Sequence, residues 1–236
     1  MNEPNQQRDA GIAGHLTRVW RLSVPAILTQ ITSIVMQYID SAMVGRLGAG
    51  ASAAIGLVSS STWLMSGFLY GVSAGFSVQV AHHIGAGAEA EARRVVKHGI
   101  AAGLVVSTLL LFVGAAMSGP LPHWLGGDAD ISGDASAYFL VFALAFPFMQ
   151  MNLLASSCLQ CSGNMVTPSV LNSIMCGLDV LFNAMFIPRF GVLGAGIGTG
   201  LATAVISLAM LWCCCVRSQA LRLTRREPCP LDPKIL

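Results

Sequence analysis

Residues 193–216 read LGAGIGTGLATAVISLAMLWCCCV and contain no charged side chain. A transmembrane α-helix needs about 20 consecutive, mostly apolar residues, so this stretch is long enough to cross a bilayer. The whole chain has the same character, because 54% of its 236 residues are hydrophobic and only 10% are charged. Soluble domains average about 25% charged residues. The sequence therefore predicts an integral membrane protein and excludes an ordinary soluble domain.

Five further stretches are apolar enough to span the membrane, and short polar or glycine-rich breaks separate them. The predicted spans are 22–45, 53–81, 95–118, 136–158, 167–188 and 193–216. Their apolar runs are continuous rather than alternating, which favours helices over a β-barrel. We therefore expect an all-α integral membrane protein with six transmembrane helices.

The basic residues are distributed unevenly between the loops. With a cytoplasmic N-terminus, 11 of the 13 lysines and arginines fall on the cytoplasmic side, and only Arg46 and Arg189 fall outside. The positive-inside rule then predicts that both termini are cytoplasmic. We expect a cytoplasmic segment at 1–21, a membrane lobe at 22–216 and a cytoplasmic tail or linker at 217–236. This orientation explains the basic tail, which therefore gives no reason to expect a nucleic-acid partner.

The first predicted span contains an acidic residue, Asp40, in the stretch IVMQYIDSAMVG. Gln30, Ser33, Gln37 and Asp40 fall on one narrow face of a helix. A carboxylate at the centre of a bilayer costs about 2.5–3.5 kcal/mol on insertion scales, so such a face should turn toward protein or water. An intramembrane acid is suited to binding a proton or another cation. The alternative is that Asp40 marks the outer end of a short span.

The fifth predicted span carries a second polar file. Asn172, Cys176, Asp179 and Asn183 are spaced by four, three and four residues in an otherwise apolar helix. Asp179 and Asn183 are i,i+4 neighbours, so they can share one ligand or one proton. The alternative is a structural polar pair that bridges two helices. Two acidic residues on two separate polar faces favour a functional site.

Small residues and prolines predict how the helices pack and bend. Gly67, Gly71 and Gly75 recur at every fourth residue of span two, and the glycines of span six show the same spacing. Such spacing lets two helix backbones approach closely, so we expect both stripes to contact other helices. The prolines at positions 25, 147 and 168 are predicted to kink or start helices.

The sequence contains none of the usual enzymatic or metal-binding motifs. There is no phosphate-binding glycine loop, no HExxH and no GxSxG, and no nucleophile–base pair is visible. Cys158 and Cys161 form a lone CxxC, which is weak evidence for metal or redox chemistry. We expect no enzymatic activity, no resident metal and no organic cofactor.

Several motifs together resemble the multidrug and toxic compound extrusion (MATE) family. They are VPAILTQ, IDSAMVGRLGA, VQVAHHIGAGAEAEA, LQCSGNMVTP and FGVLGAGIGTGLAT, which follow one another from about residue 16 to residue 216. The resemblance covers nearly the whole chain but corresponds to only the first of the two six-helix lobes of such a transporter. It implies an antiporter in a bacterial inner membrane that exports organic cations, drugs or other amphipathic compounds in exchange for H⁺ or Na⁺.

The resemblance also implies roles for particular residues. Asp40 matches the acidic residue of span one implicated in cation coupling, Thr199 matches a small polar position in GIGTG, and Tyr138 falls where the lobe cavity often has a tyrosine. The implied cation-coupling residues are Asp40, Asp179, Asn183 and Thr199, and the implied substrate-cavity residues are Gln30, Gln37, Tyr138, Asn152, Ser156 and Asn172.

Three positions depart from the family pattern. Prokaryotic members often read Asn-x-x-x-Asp in span five, whereas this chain has Asp179 before Asn183. Ser156 stands where an asparagine is often seen, and Gly163-Asn164 replaces a charged Gly-Asp pair. The swap keeps both polar groups but changes the coordination geometry that the resemblance implies.

One lobe supplies only one wall of the central cavity that alternating access requires. The expected partner is therefore a second six-helix lobe, supplied by a missing half of the same product, by a second copy or by another chain. Two alternatives remain. A lipid-linked saccharide flippase is disfavoured because the interiors of the predicted spans lack lysine and arginine, and a non-transporting membrane remnant is the other.

Overall fold

The computed structural model describes residues 3–218 and residue 221, without the side chains of 3–18, 21, 22, 25 and 26. Nearly all of this part is helical. In chain order the helices are α1 (Glu3–Gly45), α2 (Ala49–Gly85), α3 (Glu89–Ser118), α4 (Leu121–Trp124), α5 (Ala129–Leu144), α6 (Phe146–Cys161), α7 (Val166–Phe190), α8 (Val192–Trp212) and a π-helix, π1 (Cys213–Arg217). The predicted all-helical fold is confirmed.

Each predicted span coincides with helical structure, but the count of six is approximate. Among the described residues, α2, α3, α7 and the continuous segment Val192–Arg217 are long and apolar enough to cross a membrane, and α5 with α6 qualifies as one bent span. The apolar stretch of α1 lies partly outside the described residues, so this set neither includes nor excludes α1 as a span.

The fourth predicted span is not one straight helix. It is divided between α5 and α6, which meet at Ala145 with a bend of 46°. Pro147 occupies the first turn of α6, where its missing N–H breaks the hydrogen-bond ladder of the preceding helix. Pro168 lies in the first turn of α7 and so starts a helix, whereas the side chain of Pro25 lies outside the described residues.

The helices form a bundle in which α7 packs between α1 and α8, while α2 packs against α3, α5 and α6. Phe139 of α5 and Phe146 of α6 are fully buried in two of the apolar clusters that fill this bundle. A third cluster joins three helices, since Val44 of α1 contacts Ile187 of α7 and Ala195 of α8. Large apolar side chains also cover much of the outer surface, as expected where helices face lipid.

We expected two glycine stripes to contact other helices, and this prediction is wrong for α2 and confirmed for α8. A Cβ atom added at Gly67, Gly71 or Gly75 would meet no atom within 4 Å among the described residues, so this stripe of α2 makes no close helix contact there. The small-residue spacing permits close approach but does not choose which face of a helix is covered. The glycines of α8 do pack closely, because a Cβ at Gly194 would overlap the backbone of Phe186.

Helix α3 contains close-packed glycines that the sequence did not single out. A Cβ at Gly114 would lie 2.8 Å from the Cβ of Ala143, and one at Gly103 would lie 3.2 Å from the side chains of Gln150 and Met151. In a bilayer, such van der Waals packing replaces the hydrophobic effect as the force that holds helices together. These glycines therefore fix α3 against α5 and α6.

Candidate functional site

Asp40 of α1 meets the polar pair Asp179 and Asn183 of α7 inside the bundle. The side-chain amide of Asn183 donates a hydrogen bond of 2.9 Å to Asp40 Oδ1 and another of 3.2 Å to Asp179 Oδ2. Asp179 and Asn183 are completely buried, whereas Asp40 is half-buried. One amide thus bridges two acidic side chains that are 139 residues apart in the sequence.

Helix α8 closes the other side of this acidic cluster, which we define as Asp40, Asp179, Asn183 and Thr199. Thr199 lies next to Asp179, within range of a polar interaction between their side chains. Gly198 lies against Asn183, so closely that a Cβ at 198 would overlap the Asn183 amide oxygen. The four residues implied as cation-coupling therefore lie together, at the junction of α1, α7 and α8.

The acidic cluster contains unused hydrogen-bond acceptors. Asp179 Oδ1 and Asn183 Oδ1 are buried and have no hydrogen-bond partner among the described residues. The ion pairs in the described part of the chain, Arg93 with Glu89 and Arg94 with Glu91, lie at the start of α3 and not at the cluster. A buried acceptor without a partner costs about 1–3 kcal/mol. The cluster is consequently suited to accept a proton or a small cation.

A cavity of about 600 Å³ opens beside the cluster. Asp40 and Thr199 line it, whereas Asp179 and Asn183 lie behind them and do not. The other lining residues come from several helices: Met36, Gln37, Ser41, Val44, Ser52, Ile55, Gly56, Ser59, Thr62, Trp63, Ser66, Leu69, Tyr70, Tyr138, Phe142, Met149, Asn152, Leu153, Met175, Ala195 and Thr203. Among the described residues that line the cavity there is no lysine or arginine, and Asp40 is the one acidic side chain.

The residues implied as the substrate cavity divide into two groups. Gln37, Tyr138 and Asn152 line the cavity. Gln30, Ser156 and Asn172 do not. Gln30 is exposed on α1, and the hydroxyl of Ser156 accepts a hydrogen bond of 3.1 Å from Gln160. The side-chain oxygen of Asn172 is buried and has no hydrogen-bond partner in the part of the chain that the structure describes.

Helix α2 contributes a wall that the sequence did not predict. Ser52, Ser59, Thr62 and Ser66 face the cavity together with the aromatic side chains of α2. Hydroxyl groups spaced by seven residues, as at 52, 59 and 66, fall near one helix face, and this spacing was the available signal. It was weaker than the signal of an intramembrane aspartate, because single serines and threonines are common in membrane helices.

Comparison with known proteins decides the family. A family model described as MatE matches residues 25–185, which is more than half of the chain. This protein belongs to the MatE family. It is a multi-pass membrane protein, and the resemblance seen in its sequence motifs is confirmed.

Relatives of this MatE protein include proteins named as multidrug resistance proteins. It is 24% identical over 215 residues to the probable multidrug resistance protein NorM of Chromobacterium violaceum, covering 89% of this chain and 46% of that one. It is 28% identical over 204 residues to the probable NorM of Deinococcus radiodurans, covering 84% and 45%. The chain thus spans about half the length of the curated relatives it matches.

Solved structures of the family share the fold. An outward-facing multidrug resistance MATE family transporter of the MOP superfamily superposes with a TM-score of 0.86 at 23% identity, covering 92% of this chain and 49% of that one. A MOP superfamily transporter from Pyrococcus furiosus gives the same TM-score at 22% identity and the same two coverages. The described bundle therefore has the architecture of one half of these transporters.

Proposed function

We propose that this MatE protein forms one lobe of a cation-coupled antiporter that exports organic cations, drugs or other amphipathic compounds. The observation that carries the proposal is the amide of Asn183, which joins Asp40 and Asp179 at the edge of a cavity. The names of the relatives, which describe multidrug resistance proteins, support the export of drugs.

The chemistry of the cluster supports H⁺ or Na⁺ as the coupling ion. Asp40 and Asp179 both accept a hydrogen bond from Asn183, and the described residues that line the cavity include no basic side chain to balance them. Carboxylate, amide and hydroxyl oxygens are hard ligands that suit a small hard cation, and a carboxylate equally accepts a proton. The unpartnered oxygens of Asp179 and Asn183 provide acceptors for either ion.

The cavity supports an organic cation as the exported compound. Its volume of about 600 Å³ lies within the range of roughly 300–1,000 Å³ that is typical of small-molecule sites. Trp63, Tyr70, Tyr138 and Phe142 supply aromatic surface, and aromatic faces attract cations. The described lining residues include no lysine or arginine, which disfavours an anionic lipid-linked saccharide.

The mechanism follows from the position of Asp40, which can interact both with the coupling ion and with the substrate in the cavity. Because Asp40 both lines the cavity and accepts the Asn183 hydrogen bond, an ion that neutralises Asp40 weakens its attraction for a cationic substrate. The same ion weakens a contact between α1 and α7, which shifts their packing and releases the substrate outside. One elementary charge moving down about 100 mV supplies about 2.3 kcal/mol for this step.

The proposal includes a second six-helix lobe, because alternating access in such transporters occurs between two halves. Relatives about twice as long as this chain support it. The second lobe is supplied by another part of a longer product, by a second copy or by a separate chain. We further propose that the protein lies in a bacterial inner membrane with both termini cytoplasmic, as the distribution of basic residues predicts.

The test is gradient-driven transport by the 236-residue chain in liposomes. Imposed pH and Na⁺ gradients, applied separately, should drive accumulation of ethidium, a fluorescent aromatic cation. Asp40→Asn should abolish this accumulation, whereas Asp134→Asn, the same change at an exposed site on α5, should not. Normal accumulation by Asp40→Asn would overturn the assigned role of Asp40. No accumulation by the unmodified chain would overturn the version of the proposal in which a second copy supplies the other lobe.

A further inference from the structure

A second cavity lies at the end of the bundle where three segments of the chain meet. It has a volume of about 490 Å³ and shares no lining residue with the cavity beside the acidic cluster. Its walls come from the start of α3, from the turn between α6 and α7, and from the end of π1, and the described lining residues are Glu89, Ser162, Asn164, Thr167, Cys213, Arg217 and Ser218. The distribution of basic residues predicts that all three segments lie at the cytoplasmic face, so we expect this cavity to open at the membrane boundary.

The described wall of this cavity carries one acidic and one basic side chain, and the two do not form an ion pair. Glu89 contacts only Arg93, at 3.8 Å and at the protein surface, and Arg217 has no acidic partner among the described residues. The cavity therefore presents opposite charges that are separated from each other. Such an arrangement suits a ligand with one negative and one positive group, because each group then meets a side chain of opposite charge.

The neutral side chains of the cavity supply both an acceptor and a donor. The Ser162 hydroxyl donates a hydrogen bond of 2.7 Å to a backbone oxygen of α6, so its own oxygen can accept from a ligand. The Thr167 hydroxyl accepts a hydrogen bond of 2.9 Å from the Asn164 amide, so its proton can be donated to a ligand. Ser162 can therefore assist Glu89 in holding an ammonium group. Thr167 can likewise assist Arg217 in holding a phosphate.

Two exposed apolar ridges begin beside the cavity, one next to Thr167 and the other next to Arg217. Each ridge consists of three large apolar side chains that are spaced by four residues and are 48–63% exposed: Val166, Val170 and Ile174 on α7, and Leu208, Trp212 and Val216 on α8 and π1. Residues with this spacing share one helix face, so both ridges run from the cavity along the outer surface of the bundle. Acyl chains can lie on such ridges, which favours a lipid over a soluble ligand.

We propose that this second cavity binds the headgroup of phosphatidylethanolamine, a lipid with one phosphate and one protonated amine. The phosphate is held by Arg217 and by the hydroxyl of Thr167. The amine is held by Glu89 and by the hydroxyl oxygen of Ser162. The two acyl chains follow the two apolar ridges away from the cavity. The bound lipid thus connects the start of α3 with the start of α7 and the end of π1.

The same contacts disfavour two other common lipids. Phosphatidylcholine carries a quaternary ammonium group, which has no N–H to donate to the Glu89 carboxylate. Phosphatidylglycerol has no positive group, so its phosphate satisfies Arg217 and leaves Glu89 without a partner in the ligand. The lipid site does not depend on the proposed transport function, because it shares no residue with the acidic cluster or with the cavity beside that cluster.

The test is titration of the purified full chain in detergent with these three lipids, which carry identical acyl chains, followed by native mass spectrometry. Phosphatidylethanolamine should bind about tenfold or more tightly than the other two, because a hydrogen bond to a charged group contributes roughly this factor. Equal affinities for the three lipids would overturn the site. Soluble phosphoethanolamine is the fourth ligand, and an affinity equal to that of the lipid would overturn the assignment to a lipid.

Two variants test the two ends of the headgroup separately. Arg217→Gln should weaken the binding of phosphatidylethanolamine by about tenfold or more, and Glu89→Gln should remove the preference over phosphatidylcholine. Both side chains are exposed, so neither change should disrupt the fold, and the lipid preference of the unmodified chain is a readout that needs no variant.

The matched controls are an arginine at the other end of α7 and a second acid in the first turn of α3. Arg189→Gln and Glu91→Gln change residues that do not line the cavity, and both variants should keep the affinity and the preference of the unmodified chain. Unchanged affinity in Arg217→Gln, or an equal loss in Arg189→Gln, would overturn the site. An unchanged lipid preference in Glu89→Gln would overturn the placement of the amine.

Discussion

Gly198 of α8 lies directly against the side chain of Asn183 of α7, where even one added methyl group would overlap the amide oxygen. Position 198 therefore determines where the amide that joins Asp40 and Asp179 can be placed. Glycine is required at position 198 because the side chain of Asn183 occupies the space that a larger residue would need.

Gly198→Ala should displace Asn183 and separate the polar faces of α1 and α7. Overpacking of this kind costs about 1–3 kcal/mol, and we expect the midpoint of thermal unfolding in detergent to fall accordingly. Gradient-driven ethidium transport should fall as well. Gly200→Ala is the matched control, since a Cβ there would meet only Ala145 at 3.8 Å. Equal unfolding midpoints for the two variants would contradict this account.

Exchanging the two polar residues of α7 tests whether the cluster needs its composition or its order. Asp179→Asn removes one carboxyl group and Asn183→Asp removes the shared donor, so each single change should reduce transport by about tenfold or more, equivalent to roughly 1.4 kcal/mol. The double exchange restores one acid and one amide and should recover most of the transport rate. The measurement is a double-mutant cycle of transport rates. If the losses of transport rate add in the double variant, the order of the acid and the amide at positions 179 and 183 matters more than the presence of both.

The hydrogen bond between Gln150 and Ser73 joins α6 to α2 inside the bundle. Gln150 is completely buried, its amide donates to the Ser73 hydroxyl at 3.0 Å, and its other polar atom has no partner among the described residues. Ser73→Ala leaves the amide unsatisfied and should destabilise the chain by about 1–3 kcal/mol. Adding Gln150→Met, which removes the buried polar group, should restore most of that loss in thermal unfolding. A double variant less stable than Ser73→Ala would contradict this explanation.

Gly114 and Gly67 should respond in opposite directions to the same substitution. Alanine is favoured over glycine in a helix by up to about 1 kcal/mol, and at Gly67 nothing within 4 Å opposes that gain. At Gly114 the new methyl group would lie 2.8 Å from the Cβ of Ala143, so α3 and α5 must separate. We expect Gly67→Ala to raise the unfolding midpoint slightly and Gly114→Ala to lower it. If Gly67→Ala is the more damaging change, that glycine stripe contacts a partner outside the described chain.

The membrane spans were predictable because an unbroken apolar run of about 20 residues has few other uses. The span predicted at 53–81 corresponds to α2 at Ala49–Gly85, and its ends differ because helices continue into the polar boundary. The bend at Ala145 agrees with the prediction that Pro147 kinks or starts a helix, whereas the short helix α4 was not predicted. A proline signals a break but not its angle, and α4 lies in the loop between the spans predicted at 95–118 and 136–158.

The acidic cluster was predictable as two separate polar faces and not as a contact. Asp40 and Asp179 were conspicuous because an intramembrane acid is costly, but the Asn183 hydrogen bond depends on how α1 packs against α7. Helical periodicity reports which residues share a face and says nothing about which helix that face meets. The wall formed by α2 was not predicted, because serine and threonine are uncharged and do not stand out in a membrane helix as an aspartate does.

The separation of 143 residues between Asp40 and Asn183 has a consequence for biosynthesis. At translation rates of about 5–20 residues per second, α7 follows the acidic end of α1 by roughly 7–30 s. During that interval Asp40 reaches the insertion machinery before Asn183, its hydrogen-bond donor, has been synthesised. The hydrogen bond between α1 and α7 can therefore form only late in synthesis, once α7 has been made.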